Sequence, residues 1–127
     1  METKRRILIL DDSEISREMG RFVLEVRGHT VSTVANLVEF ERQLKSFEPD
    51  LILTDHVMPE IAGADLVRIL KRGLTTENLP VVLFSSKPAD ELARIAAEAG
   101  ADGYVSKADG IEKVGELVDE LVGSIIW

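Results

Sequence analysis

The chain has 127 residues, no cysteine, and a formal net charge of -8 from 23 acidic and 15 basic residues. That length suits one domain able to bury about two-thirds of its unfolded surface without a metal or disulfide, and the missing thiol excludes zinc-thiolate and iron–sulfur chemistry and any cysteine nucleophile. The charge repels a phosphate backbone, which argues against direct nucleic-acid binding, and no stretch approaches the roughly 20 apolar residues of a membrane span.

The opening Met1-Glu2-Thr3-Lys4-Arg5-Arg6 leads into only four apolar residues, too few for a secretory signal, so a cytoplasmic location is expected. The first strand-like run lies at about 6–10 and is closed by Asp11-Asp12. A helix follows, with Asp12 or Ser13 as cap and Gly28 as its end. Its stripe of Ile15, Met19, Phe22, Val23 and Val26 is expected to face the core, opposite Arg17, Glu18, Arg21 and Glu25. His29, in the turn, reads as a surface residue. A run at 30–34 alternates apolar and polar, and a second helix begins near Asn36 with Leu37, Phe40, Leu44 and Phe47 inward, stopped by Pro49.

The third apolar run, at 50–54, is closed by Asp55; its neighbour His56 is expected to point away from the site or to solvent. A helix from about Gly63 to Arg72 turns Leu66, Val67, Ile69 and Leu70 inward. The fourth run spans 80–84 and is followed by Ser85, then by a helix opening at Pro88 with Leu92, Ile95, Ala96 and Ala99 on one side. A short fifth run at 102–105 precedes Lys107. The last helix carries Val114, Leu117, Val118, Leu121 and Val122, and across the last segment Asp109, Glu112, Glu116, Asp119 and Glu120 outnumber Lys113, read chiefly as a solvated face and otherwise as an acidic docking surface for a basic partner. Trp127 with Ile125 and Ile126 is expected to cap that helix or to meet a partner.

Five strands alternating with five helices predict an α/β fold, a doubly wound parallel sheet covered on both faces. The first, third and fourth runs are continuously apolar and therefore central; the second and fifth are edges. Strand order 2-1-3-4-5 satisfies this and sets the first and third strands side by side at the reversal point, where the carboxyl ends of strands face one crevice. Asp11, Asp12, Asp55 and Lys107 would meet there, in outline a cation and phosphoryl site.

The Asp11-Asp12 pair, Pro49-Asp50-Leu51-Ile52-Leu53-Thr54-Asp55 with Met58-Pro59 and Gly63, Ser85, and Gly100-Ala101-Asp102-Gly103-Tyr104-Val105-Ser106-Lys107 together resemble the receiver domain of two-component response regulators, which share the flavodoxin-like topology. The match spans nearly the whole chain, so 1–127 is expected to be a single receiver domain with no effector domain. The resemblance implies Asp55 as phosphoacceptor, Asp11 and Asp12 as the acidic pair for magnesium or manganese, the Val57 backbone carbonyl as a further ligand, Ser85 as the phosphoryl-contacting hydroxyl, Lys107 as the phosphate-pairing cation, and Ser85 with Tyr104 as the switch pair. It implies a sensor histidine kinase or phosphotransfer protein as donor, a downstream protein target, a monomer or weak dimer, and no turnover enzyme beyond self-promoted phosphoryl transfer and slow autodephosphorylation. Packed carboxylates repel unless a cation neutralises them, and magnesium suits oxygen ligands such as Asp12 and Asp55 with a solvated Asp11.

Three departures from the family pattern stand out. Ala108 follows Lys107 where the family has proline in a cis peptide; before alanine the cis form costs about 2.5–4 kcal/mol, so a trans bond is expected. Ser86 adds a second hydroxyl after Ser85. The last helix lacks the basic residues that pair with acidic ones in the dimers of some DNA-binding regulators. Among other functions, a pseudo-receiver that binds partners constitutively remains as the alternative. A haloacid-dehalogenase-type phosphatase needs aspartates at alternate positions, and a dinucleotide binder needs a glycine-rich first loop that Leu10-Asp11-Asp12-Ser13-Glu14 lacks.

Overall fold

The computed structural model describes residues 5–123, so the reading of Ile125, Ile126 and Trp127 falls outside the described residues. The elements run β1 (Arg6–Leu10), α1 (Glu14–Val26), β2 (Thr30–Val34), α2 (Leu37–Ser46), β3 (Leu51–Asp55), α3 (Gly63–Arg72), β4 (Val81–Ser85), α4 (Ala89–Ala99), β5 (Gly103–Ser106), a single 3-10 turn Lys107–Asp109, and α5 (Glu112–Gly123). All strands are parallel, in the order β2-β1-β3-β4-β5. Three strands start one residue later than their pattern predicts, which brings Asp55 and Ser85 into β3 and β4 as terminal residues.

Because strand side chains alternate, each central strand feeds two cores. Leu8, Leu10, Ile52, Val81 and Leu83 pack with Phe40, Leu66, Val67, Leu70, Leu92, Ala96 and Ala99 on the α2, α3 and α4 side. Ile7, Ile9, Leu51, Leu53, Val82, Phe84 and Val105 pack with Leu24, Val114, Val118 and Val122 on the α1 and α5 side. Burial on both faces is what makes β1, β3 and β4 almost wholly apolar, with polar residues at the strand ends and at Thr54, whose buried hydroxyl donates to the Asp55 carbonyl at 3.0 Å.

Helix α1 does not present the expected face. Ile15, Met19, Phe22 and Val26 are exposed, by 74, 47, 69 and 70 %, while Gly20 and Leu24 are buried. A side chain at position 20 would meet Ile9 Cδ1 at 3.1 Å. The missing side chain lets the helix backbone lie close to β1, so the inward stripe is the one through Gly20 rather than the one richest in apolar residues. Ile69 is likewise 57 % exposed, whereas Leu66, Val67 and Leu70 are buried as expected.

His29, read as a surface residue, is buried at the opposite end of the sheet from the Asp55 crevice. Its Nδ1 accepts the Arg5 backbone N–H at 3.2 Å, so Nε2 carries the hydrogen it donates to Asp119 Oδ1 at 2.7 Å. Arg27, packed over Gly115, pairs with the other Asp119 oxygen. Burial alone would raise the Asp119 carboxyl, but hydrogen bonds from His29 and Arg27 outweigh it and leave its proton affinity lowered. This network ties α5 to the starts of β1 and β2.

Candidate functional site

The crevice at the carboxyl ends of β1 and β3 is built by two short loops. After β1, Asp11 is held to the neighbouring strand by its N–H to the Val34 carbonyl, at 3.2 Å. Its Oδ1 accepts the Ser13 N–H at 2.9 Å, and Arg17 Nη1 donates to its carbonyl at 2.7 Å. Ser13 then caps α1 by accepting the Ser16 N–H. Asp11 is therefore buried, at 2 % exposure, and Asp12 is the solvated member of the pair; the expectation of a solvated Asp11 is reversed, because the turn spends one Asp11 oxygen on the backbone.

After β3, Asp55 Oδ1 accepts the Val57 N–H at 3.3 Å, and the chain crosses to α3 in a tight approach. The Gly63 N–H donates to the His56 carbonyl at 2.8 Å, and the Ala64 N–H to His56 Nδ1 at 3.2 Å. Helix α3 has Ala62 at its N-cap with no side-chain bond there, so His56 supplies the missing acceptor. Sequence reasoning gave His56 no role; the absence of Ser, Thr, Asp or Asn just before Gly63 was the available signal. Burial, then the nearby Lys87, lower its proton affinity, which suits an acceptor.

Carboxylate oxygens of Asp11, Asp12 and Asp55 all lie within 4.8 Å of one another. Lys107 Nζ reaches in from the turn after β5, 3.4 Å from Asp11 Oδ2 and 3.8 Å from Asp55 Oδ2, and sits 5.1 Å above the Phe84 ring. The Asp55 carboxyl is pushed above its ordinary value of 3.8, first by burial and second by the Asp11 charge, with Lys107 and the backbone N–H groups of Val57 and His56 opposing. Three carboxylates against one ammonium leave two negative charges, which a divalent cation matches, and an all-oxygen donor set suits magnesium or manganese. The residues present therefore fit such an ion.

Ser85 closes β4 and is fully buried, its Oγ accepting the Lys87 N–H at 3.3 Å. Tyr104 on β5 is 40 % exposed and lines an open groove with Ala89, Asp109, Lys113, Glu116 and Glu120. Val57 is exposed by 56 %. No peptide bond among the described residues is cis, so Lys107–Ala108 is trans as expected, and Lys107 begins the 3-10 turn. Ser106, to which sequence reasoning gave no role, is buried and donates to the Lys87 carbonyl; its place between Tyr104 and Lys107, both candidate site residues, was its only signal.

The profile of the response regulator receiver domain matches residues 7–119, and the chain belongs to that family. It is 31 % identical over 103 residues to the chemotaxis protein CheY of Halobacterium salinarum, covering 81 % of this chain and 84 % of that one. It is 36 % identical to the phosphate regulon transcriptional regulatory protein PhoB of Escherichia coli, covering 81 % of this chain but 45 % of that protein. With a gliding motility regulatory protein of Myxococcus xanthus it shares 34 % identity over 91 % of its own length and 15 % of the other's, so it spans half or less of several relatives. Among solved structures, the signal receiver domain of a signal transduction histidine kinase from Syntrophus aciditrophicus superimposes with a TM-score of 0.82 at 30 % identity, covering 97 % of this chain and 98 % of that one. The chain thus has the five-stranded 2-1-3-4-5 fold and the family membership expected of it, and among the described residues no helix is long and apolar enough to cross a membrane.

Proposed function

We propose that this receiver domain accepts a phosphoryl group on Asp55 from the phosphohistidine of a sensor kinase or phosphotransfer protein, with a divalent cation at Asp11, Asp12, Asp55 and the Val57 carbonyl, and switches a partner-binding surface. The observation that carries this reading is the convergence of Asp11, Asp12 and Asp55 with Lys107 at one crevice.

An Asp55 carboxylate oxygen attacks phosphorus as the phosphorus–nitrogen bond to the imidazole breaks, leaving an acyl phosphate on the protein and a nitrogen that takes its proton from solvent. Burial strips water from Asp55 and holds it by the Val57 N–H, so its free oxygen is positioned before the donor arrives. Lys107 offsets charge growing on the phosphoryl oxygens, and the Ser85 hydroxyl donates to one of them. A bound divalent cation supplies charge neutralisation of the phosphoryl oxygens and carboxylates. The product adds about one and a half to two negative charges at the end of the sheet, drawing Ser85 and Lys107 inward, and Tyr104 follows by turning from its exposed position. The acid-lined groove beside Tyr104 is the surface whose partner affinity changes, in one direction or the other.

Incubation with magnesium and acetyl phosphate or phosphoramidate, followed by intact mass measurement, tests the reading. A single phosphoryl adduct that vanishes in Asp55→Asn is the expected result. No adduct with any donor supports the constitutive pseudo-receiver instead, and multiple-turnover phosphate release from unrelated substrates supports a phosphatase.

A further inference from the structure

The connection between β4 and α4 is held through the backbone of one residue. Lys87 gives its N–H to Ser85 Oγ at 3.3 Å, and its carbonyl accepts a hydrogen bond from Ser106 Oγ at 2.8 Å. A hydroxyl can only donate to a carbonyl oxygen, so the sense of the second bond is fixed. Ser106 is 1 % exposed, stands opposite Ser85 in the β4–β5 register, and immediately precedes Lys107. It also shares a strand face with Tyr104, two residues earlier. One hydroxyl therefore joins the strand that delivers Lys107 and Tyr104 to the loop that follows Ser85.

We propose that Ser106 is a latch: its bond to the Lys87 carbonyl holds the β4–α4 loop in the arrangement in which Tyr104 is exposed, and so sets how rarely the unphosphorylated protein visits the switched one. The proposal rests on the reading of Asp55 as phosphoacceptor. When Ser85 moves toward a phosphoryl group on Asp55, the acceptor of the Lys87 N–H is withdrawn, and the Ser106 bond is the remaining hydroxyl tie on that residue. Shifting the loop then breaks a hydrogen bond whose donor, the Ser106 hydroxyl, is buried and would be left without a partner. Ser106 acts through Lys87 and is a positioning residue. Its effect falls on the balance between two arrangements rather than on the bond made at Asp55.

Tyr104 is the one tyrosine of the chain, so 3-fluorotyrosine labelling gives a single fluorine resonance that reports its ring. Wild type, Ser106→Ala and Ser106→Thr are compared with and without magnesium and phosphoramidate, with the intact mass read in parallel. Without donor, Ser106→Ala moves the resonance part of the way toward its phosphorylated position, the ratio of the two arrangements changing about fivefold, the equivalent of one hydrogen bond of about 1 kcal/mol. Ser106→Thr keeps the hydroxyl and tracks wild type. A donor-free Ser106→Ala resonance that coincides with wild type, while phosphorylation still moves both, overturns the latch and leaves the phosphoacceptor standing. A Ser106→Thr protein that behaves as Ser106→Ala also overturns it, since the hydroxyl is then not the cause. Absence of any wild-type adduct overturns the phosphoacceptor reading and the latch together.

Discussion

Gly63→Ala is the substitution whose cost follows most directly from the geometry. A side chain at position 63 would fall well inside contact distance of the Asp55 carbonyl oxygen, 2.8 Å from His56 Cα and 3.0 Å from Leu83 Cδ2. The first two are backbone atoms of the strand end and cannot rotate aside, so α3 must withdraw. Forcing a methyl into a filled space costs about 1–3 kcal/mol, and the Gly63 N–H to His56 bond stretched by that withdrawal adds about 1 kcal/mol. A loss of about 2–4 kcal/mol lowers the urea midpoint by roughly 1–2 M. Gly103→Ala is the matched control, because its added carbon meets only side-chain atoms of Leu117, the nearest being Cδ2 at 2.8 Å, and no backbone; alanine is also the better strand residue, so the net change stays under about 1 kcal/mol. Since the crowded oxygen is that of Asp55 itself, Gly63→Ala also slows phosphoryl adduct formation. A Gly63→Ala midpoint equal to that of Gly103→Ala would refute the reasoning.

The raised Asp55 proton affinity has a definite sign in stability. Between the ordinary value of 3.8 and the higher native one, the folded state binds more protons than the unfolded, so this group costs stability as pH rises through that window. Asp55→Asn removes the cost and unfolds at a higher urea concentration than wild type at pH 7, the gap closing toward pH 4; a variant less stable than wild type at neutral pH would contradict this. Magnesium does the same for wild type by binding the folded state, about 1.4 kcal/mol at ten times its dissociation constant, and does less for Asp55→Asn, as urea titrations with and without the ion would read. Asp119→Ala leaves the buried His29 Nε2–H without its acceptor and costs about 1–3 kcal/mol by urea unfolding; because its proton affinity is lowered in the fold, the Asp119 contribution is present above pH 3.8 and is lost as pH falls below it. The exposed Val57 side chain offers no hydrogen bond to a hydrolytic water, so the phosphoryl adduct outlasts seconds after donor removal; loss within seconds, followed by mass, would show that the rest of the site positions that water.

The strand order was legible because burial on both faces of a central strand leaves a continuous apolar run, as in Ile7–Leu10 and Val81–Phe84, and Asp55 stood out as a carboxylate closing such a run. Helix α1 was misread for a reason periodicity cannot repair. Ile15, Met19, Phe22 and Val26 form one helical stripe and Gly20 with Leu24 form another, and hydrophobicity ranks the wrong one first when close backbone approach through a glycine decides packing. His29 was misplaced because its partner Asp119 lies 90 residues away, and nothing local in Gly28-His29-Thr30 announces that bond. Asp11 and Asp12 were found together, but which one turns inward depends on the Ser13 N–H that Asp11 accepts, a detail of loop geometry beyond residue type. Ser106 was passed over because the fifth run reads as ending at 105 and the carbonyl that holds the Ser106 hydroxyl lies 19 residues away, on Lys87.

The most direct measurement is chemical mapping of the acceptor. Borohydride reduction of the protein treated with magnesium and phosphoramidate, followed by digestion and peptide mass analysis, converts an aspartyl phosphate to homoserine at the residue that carried it. Homoserine at position 55 alone, dependent on magnesium, is the predicted result. Homoserine at position 11 or 12, or an unmodified residue 55 in protein that carries the phosphoryl mass, would contradict it.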